Sequence, residues 1–341
     1  MTLLQRVDDV QRRHRWMGLP LAVLWKFLDD EGTYLAALIT YYGFVSLFPL
    51  LLLAVTVLGF VLQGDPAAQQ AVLNSALRNF PVVGDQIGAN VHSLHGSVGA
   101  LVAGVLISVY GGLGVTQAVQ NALNRMWAVP KAARPGLPAA YARGALSVVV
   151  LGGGVLAATA ASGLGATLHG ILPPAVVAPV RVVSIALAVA INATVILLGF
   201  RVLTAKAVTV RQLLPGTIVA AVAWQILQTL GGYLVRTELA GTSASYGLFG
   251  IVLGLLAWIY FSTVVALFCA EINTVRVLGL YPRSLLSAMP DDTALTPADR
   301  LALTAYVTTE RQKSYQNVQV TFDDPPPPPP PPAPPRADPG R

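Results

Sequence analysis

Six stretches of the chain are long, apolar and free of Asp, Glu, Lys, Arg and His: residues 34–63, 97–121, 144–167, 182–200, 213–235 and 246–270. Each reaches the roughly 17–25 residues with which an α-helix crosses a bilayer. Hydrocarbon offers no partner to a bare backbone N–H or C=O, so consecutive helices are the economical way to place six such runs in one chain. The expected fold is all-α. It is a polytopic membrane protein of six transmembrane helices, with an N-terminal interfacial helix and short amphipathic helices in the first external loop.

Composition agrees, because only 11% of the 341 residues are charged, against about 25% in a soluble domain. The net charge of +6 would suit a nucleic-acid partner, but the placement of the charge argues for topology instead. Nineteen of the 22 Lys and Arg fall in the N-terminal arm, the 122–143 and 201–212 connections and the C-terminal tail. The three alternating segments hold one each: Arg78, Arg181 and Arg236. Basic connections stay inside, which puts both termini in the cytoplasm of a multi-pass plasma (inner) membrane protein. Without the long tail the ratio is still 12 to 3, so the orientation does not depend on it. The excess cations then suit anionic lipid rather than nucleic acid. No cleaved signal peptide is expected, since the first apolar run starts only at Tyr34, is too long and lacks a small-residue cleavage site. The lone Cys269 excludes an internal disulfide and a cysteine-based zinc site.

The chain divides into an amphipathic cytoplasmic arm (1–33), the six-helix transmembrane domain (34–281), a cytoplasmic segment (282–322) and a proline-rich tail (323–341). In residues 1–18, Leu3, Val7, Val10 and His14 recur at helical spacing among arginines, with Trp16 following; a helix lying on the inner leaflet fits this pattern. Asp29, Asp30 and Glu31 precede the first span as a capped, dipole-compensating helix start. In the external 64–96 segment, Asp65-Pro66 opens a first amphipathic helix carrying Val72, Ala76 and Phe80, and Val83, Ile87, Val91 and Leu94 repeat after Pro81. Thr296-Pro297 opens a cytoplasmic helix carrying Leu301, Leu303 and Tyr306. The eight prolines from Pro325 to Pro332 form an extended tail, either a docking ligand or disordered.

Small residues mark packing faces, notably Gly250 and Gly254 in the sixth span and Gly154, Ala158, Ser162 and Gly165 in the third. Polar stripes are more informative. Tyr110, Gln117, Gln120, Asn121 and Asn124 fall near one face of the second span. Gln225, Gln228, Gly232 and Arg236 share a face of the fifth, with Gln225 near mid-bilayer. An amide at that depth is either glue between helices or the wall of a hydrated cavity. Tyr42, Pro49, Gln117, Asn121, Gln225 and Gln228 are therefore the candidate cavity residues. Pro49 removes one backbone bond and can turn a carbonyl toward a cavity. Arg125 and Glu271, just past the ends of the second and sixth spans, form a candidate ion pair.

Four patches carry a resemblance to a known family. They are YYGFVSLFPLLLL (Tyr41–Leu53), QNALNRMWAVP (Gln120–Pro130), SASYGLFG (Ser243–Gly250) and WIYFSTVVALFCAEINTVR (Trp258–Arg276). Together they resemble the YihY/BrkB family of bacterial inner-membrane proteins, formerly labelled ribonuclease BN, over roughly residues 20–280. The family pattern usually has Gly where Cys269 stands. The resemblance implies a six-helix bundle with both termini cytoplasmic and a place in the cell envelope. It implies no settled activity.

An enzyme is not expected. RNA hydrolysis needs a general acid and base or a metal cluster on the side where the RNA lies. Of the four histidines only His14 is assigned to the cytoplasm; His92 and His95 lack a strong third ligand beyond the distant Asp85, and His169 is alone. No catalytic residues, metal or cofactor are assigned. The leading expectation is a conduit for a lipid or small solute, flippase- or transporter-like. It is not driven by ATP itself, since GxxxxGK[ST] does not occur. Strong ion coupling is disfavoured by the lack of charge inside the spans. The alternative is a non-transporting envelope scaffold or assembly factor. Partners are membrane lipids and envelope proteins, met through the proline tail or external helices.

Overall fold

The computed structural model describes residues 8, 10–12, 14–61, 98–169, 174–234, 240–285 and 295–323. The two amphipathic helices expected within 64–96 and the proline run lie outside the described residues. The described residues form α-helices and one 3-10 turn, with no strand among them. The helices are α1 (Arg15–Asp29), α2 (Gly32–Val61), α3 (Val98–Met126), α4 (Leu137–His169), α5 (Pro174–Leu203), α6 (Val210–Leu234), α7 (Ala240–Leu278) and α8 (Pro297–Thr309).

Each of the six apolar stretches coincides with one of the helices α2 to α7. Two segments, Val210–Gly231 in α6 and Val252–Leu278 in α7, are long and apolar enough to cross a membrane. Only 28% and 22% of these two windows are buried within the protein, so most of their apolar surface faces outward, unlike the core helix of a soluble domain. Gly32–Leu47 and Val189–Leu203 are shorter apolar segments within α2 and α5.

Helices α2 to α7 close into a ring. Each packs on the next in sequence, and α7 returns onto α2. Helix α3 also reaches across to α5 and α7, and it stands opposite α6. Missing side chains set the close approaches. A Cβ on Gly154 of α4 would meet Val195 of α5, and one on Gly216 of α6 would lie 2.3 Å from the Cys269 carbonyl of α7. The Gly216 N–H donates to the Asn273 side chain at 2.7 Å across that contact.

The buried core gathers at one end of the ring. Leu123, Met126 and Trp127 of α3 and its extension meet Leu203, Leu213 and Leu267 there, with Phe27 and Ile39 from the N-terminal side. Helix α1 docks on the same end of α7, where Ala22 and Val23 pack with Val275, Leu280 and Ala302 of α8. This basal end also carries the α3–α4 and α5–α6 connections. Within the 1–18 segment read as an interfacial helix, residues 8 and 10–12 are helical, residues 1–7 lie outside the described residues, and α1 follows. Its outer stripe is Trp16, Pro20, Leu24 and Leu28, apolar and exposed, while its inner face sets Lys26 among Ala22, Val23 and Phe27.

Two residues join α1 to α2. Glu31 makes the corner in the left-handed region, φ 57°, and Gly32 follows under the Phe27 ring, whose nearest atom is 2.3 Å from where a Cβ would stand. The acids at this corner do not cap α2 with their side chains. Each instead takes a cation from elsewhere: Asp29 takes Arg283, Asp30 takes Lys26 and Glu31 takes Arg125. Thr296, by contrast, forms a complete capping box with Asp299 at the start of α8. The buried face of α8 uses Ala298, Asp299 and Ala302, leaving Leu301 exposed.

Candidate functional site

Polar groups concentrate at the basal end, in two linked sets. The first lies between α1, α3 and α7. Lys26, Asp30 and Glu271 are 3%, 2% and 0% exposed. The Lys26 ammonium donates to Asp30 and, at 3.2 Å, to the Met126 carbonyl. Burial alone would lower the Lys26 pKa, but the Glu271 and Asp30 carboxylates outweigh it and hold the ammonium above its ordinary value. Glu271 shares a side-chain hydrogen bond with Asp30, and the charges acting on it come from Lys26, Asp30 and Asp29.

The second set ties α8 to the rest. Arg283 lies between two carboxylates, 2.8 Å from Asp299 and 2.5 Å from Asp29. Asp299 also accepts from the Ser284 N–H at 3.1 Å and from Thr296. Burial would raise the Asp299 pKa, but the bonds from Arg283, Thr296 and Ser284 prevail and hold it below the usual range. Burial pushes Asp29 the other way, above the usual range, against the pull of Arg283. Further strands of the network are the Lys131–Glu310 pair at 2.5 Å and the backbone bond from Ala132 to Arg311.

The Arg125–Glu271 pairing expected from sequence does not form. Arg125 meets Glu31 at 3.1 Å and covers the Tyr306 ring at 5.4 Å, whereas Glu271 is sealed inside with Lys26. The cause is positional. The α1–α2 corner brings Glu31 to the exposed rim near Arg125, and Lys26, on the inner face of α1, is the cation carried to Glu271.

The polar stripe of α3 serves mainly as attachment. Gln120 donates to the Ala140 carbonyl at 3.0 Å, Asn124 accepts from the Ala205 N–H at 2.7 Å, and Asn121, exposed, accepts from Arg134 at 2.6 Å. These three bonds fix the first turn of α4 and the α3–α4 and α5–α6 connections onto α3. Gln117 differs, being half-buried with a fully shielded amide nitrogen that has no partner. One turn away Gly114 leaves room for the Tyr42 ring of α2, 2.6 Å from where its Cβ would stand. Tyr42 and Gln117 thus share the α2–α3 junction. Tyr110 is 74% exposed and leaves the stripe.

On α6, Gln228 is half-buried but Gln225 is exposed, in a row with Val222, Ile226 and Leu230. Pro49 lies within α2, and its side chain is outside the described residues. The five candidates whose side chains are described therefore do not converge. Tyr42 and Gln117 stand on one side of the ring and Gln228 on the opposite helix, while Asn121 and Gln225 point elsewhere. Sequence reasoning passed over Lys26 and Arg283. The i,i+4 spacing of Lys26 and Asp30 signals their pairing; for Arg283 the only hint is the Thr296-Asp299 box.

His14 is exposed and meets the Val10 carbonyl at 3.0 Å. No group of three or more His, Cys, Asp and Glu positioned for a metal occurs among the described residues. His92 and His95 lie outside them.

An outward apolar surface on long helices, with buried ion pairs gathered at one end, defines an all-helical membrane protein. The chain matches the family described as Virulence factor BrkB over residues 23–282, and it belongs to that family. The match runs from α1 to the end of the α7 region and leaves α8 and the proline tail outside. Inner membrane protein YhjD of Escherichia coli is 22% identical over 262 residues, covering 72% of this chain and 77% of the relative. The ribonuclease-like protein YfkH of Bacillus subtilis is 34% identical over 70 residues, 20% of this chain and 25% of the relative. No solved structure matches.

Proposed function

We propose that the chain crosses the inner membrane six times with both termini cytoplasmic, and that its helical ring is a passive conduit for a lipid or small solute. The observation that carries this reading is the unpartnered amide of Gln117, shielded on α3, with the half-buried Gln228 on the helix opposite. A buried amide without a partner is unfavourable in a sealed bundle, and a polar solute or water in the ring would supply the missing bond. The likeness to an inner membrane protein supports the location. Catalysis forms no part of this reading, which rests on Gln117 and Gln228.

The test is flux through proteoliposomes holding the purified protein. Gln117→Leu combined with Gln228→Leu is expected to lower flux about tenfold, the equivalent of one lost net hydrogen bond of roughly 1.4 kcal/mol. Unchanged flux in the double variant sinks the conduit. A second reading, an envelope scaffold, is favoured by the bonding of Gln120, Asn121 and Asn124 to connecting segments. It is supported if the purified protein passes no lipid or solute at all.

A further inference from the structure

Gln225 presents an amide on the outward face of α6. Gln225 lies within one of the two membrane-length segments, Val210–Gly231. At 1.5 Å per residue Gln225 is roughly 5 Å from the midpoint of α6, well inside a hydrocarbon layer about 30 Å thick. Its side chain is exposed and makes no hydrogen bond to any described residue. The nearby Thr229 hydroxyl is satisfied, donating to the Gln225 backbone carbonyl at 2.9 Å. The unmet polarity is therefore that of the Gln225 amide alone. The rest of the face is apolar: Leu214, Ile218 and Val222 are 44%, 51% and 51% exposed.

These residues form a seam. Leu214, Ile218, Val222, Gln225 and Thr229 follow one another at steps of four, four, three and four, a mean above the 3.6 residues of a helical turn, so two such stripes mesh at a right-handed crossing. Lipid tails give such a seam no polar partner. An amide at this depth is satisfied by another helix.

We infer that the Gln225 face of α6 is the interface of a homodimer, the occupant being α6 of a second copy. Two copies inserted with the same orientation are related by a twofold axis along the membrane normal. Along that axis the two α6 helices run parallel and each residue meets itself at equal depth. A glutamine is suited to this meeting, because its carboxamide carries both donor and acceptor and pairs with an identical group. The inference rests on α6 crossing the bilayer; it is independent of whether the ring conducts anything.

The experiment is oxidative cross-linking in native membranes, on a Cys269→Ala background that removes the one native thiol, itself buried. Single cysteines are placed by Val222→Cys, Gln225→Cys and Thr229→Cys, with Leu187→Cys on the exposed surface of α5 as control. Disulfide-linked dimer is expected at the α6 positions, at least about fivefold above the α5 control, as for a packed seam against chance collision. Equal cross-linking on both helices, or none on α6, overturns the dimer. A membrane-impermeant maleimide separates the two possible failures. Gln225→Cys that reacts with it is not in hydrocarbon, and the membrane placement of α6 falls with the dimer. Gln225→Cys that neither reacts nor cross-links leaves α6 embedded and sinks the dimer alone. Gln225→Leu is expected to reduce the dimer fraction counted by single-molecule photobleaching and Gln225→Asn to retain it; a dimer fraction indifferent to both removes the amide from the interface.

Discussion

Lys26 is the residue on which the basal end depends most. It is a single positive charge set against Asp30 and Glu271, all three shut away from solvent. Removing one partner of a buried ion pair leaves an uncompensated charge, at a cost of about 3–5 kcal/mol, whereas removing all the charges together is close to neutral. Lys26→Met is therefore expected to lower the thermal midpoint of the detergent-solubilised protein by several degrees. Adding Asp30→Asn and Glu271→Gln is expected to restore most of the loss. A triple variant no more stable than Lys26→Met would show that the charges are not coupled. Lys26 also marks the limit of what the linear sequence conveys. The spacing from Lys26 to Asp30 was legible, but nothing in the order of residues shows that this turn faces inward and meets α7. Arg125 was consequently assigned the wrong carboxylate. Gln225 teaches the same lesson, since helical periodicity places it with Gln228 but does not say which neighbour takes that face.

The helices themselves were far more legible. Apolar length alone announced α2 to α7, because any long run without charge has to satisfy its own backbone. Thr296-Pro297 announced α8 because capping is decided within four residues. What sequence did not convey is that α8 is latched, through Arg283, to the first helix of the chain. That latch has a pH signature. Asp299 is held below the usual carboxylate range, so its contribution is complete above the unfolded value of about 3.9 and is lost as pH falls through the folded value. Asp29 is raised, so its folded form binds the proton more readily and acidification from neutrality first favours the folded state. The latch is thus expected to hold or tighten from neutral pH to about 4 and to fail below that. Hydrogen exchange over 297–309 would follow it, with Asp299→Asn removing the acid step. Exchange that rises steadily from neutral pH would contradict the assignment.

For the whole molecule the open question is orientation, and the basal end supplies an argument beyond the counting of charges. The connections gathered there are the basic ones, and Lys206 has no acidic partner among the described residues. Lys206 lies 5.7 Å from the Trp127 ring centroid, and burial lowers its pKa with no carboxylate pulling the other way. From Gln86 to Thr237 the chain has no Asp or Glu at all. A cationic rim of this kind is stable beside the anionic lipids of the inner leaflet, and moving it across the membrane potential would be unfavourable. Gly136 tests this directly, since it sits between α3 and α4 with open space where a Cβ would go. In a Cys269→Ala background, Gly136→Cys is expected to escape an impermeant maleimide in intact cells and to react in inverted vesicles. Labelling in intact cells would turn the ring over. It would carry α8 and the proline tail outside, because the Lys131–Glu310 and Ala132–Arg311 contacts bind α8 to the same connection. One reagent on one residue therefore decides the side of every basal element together.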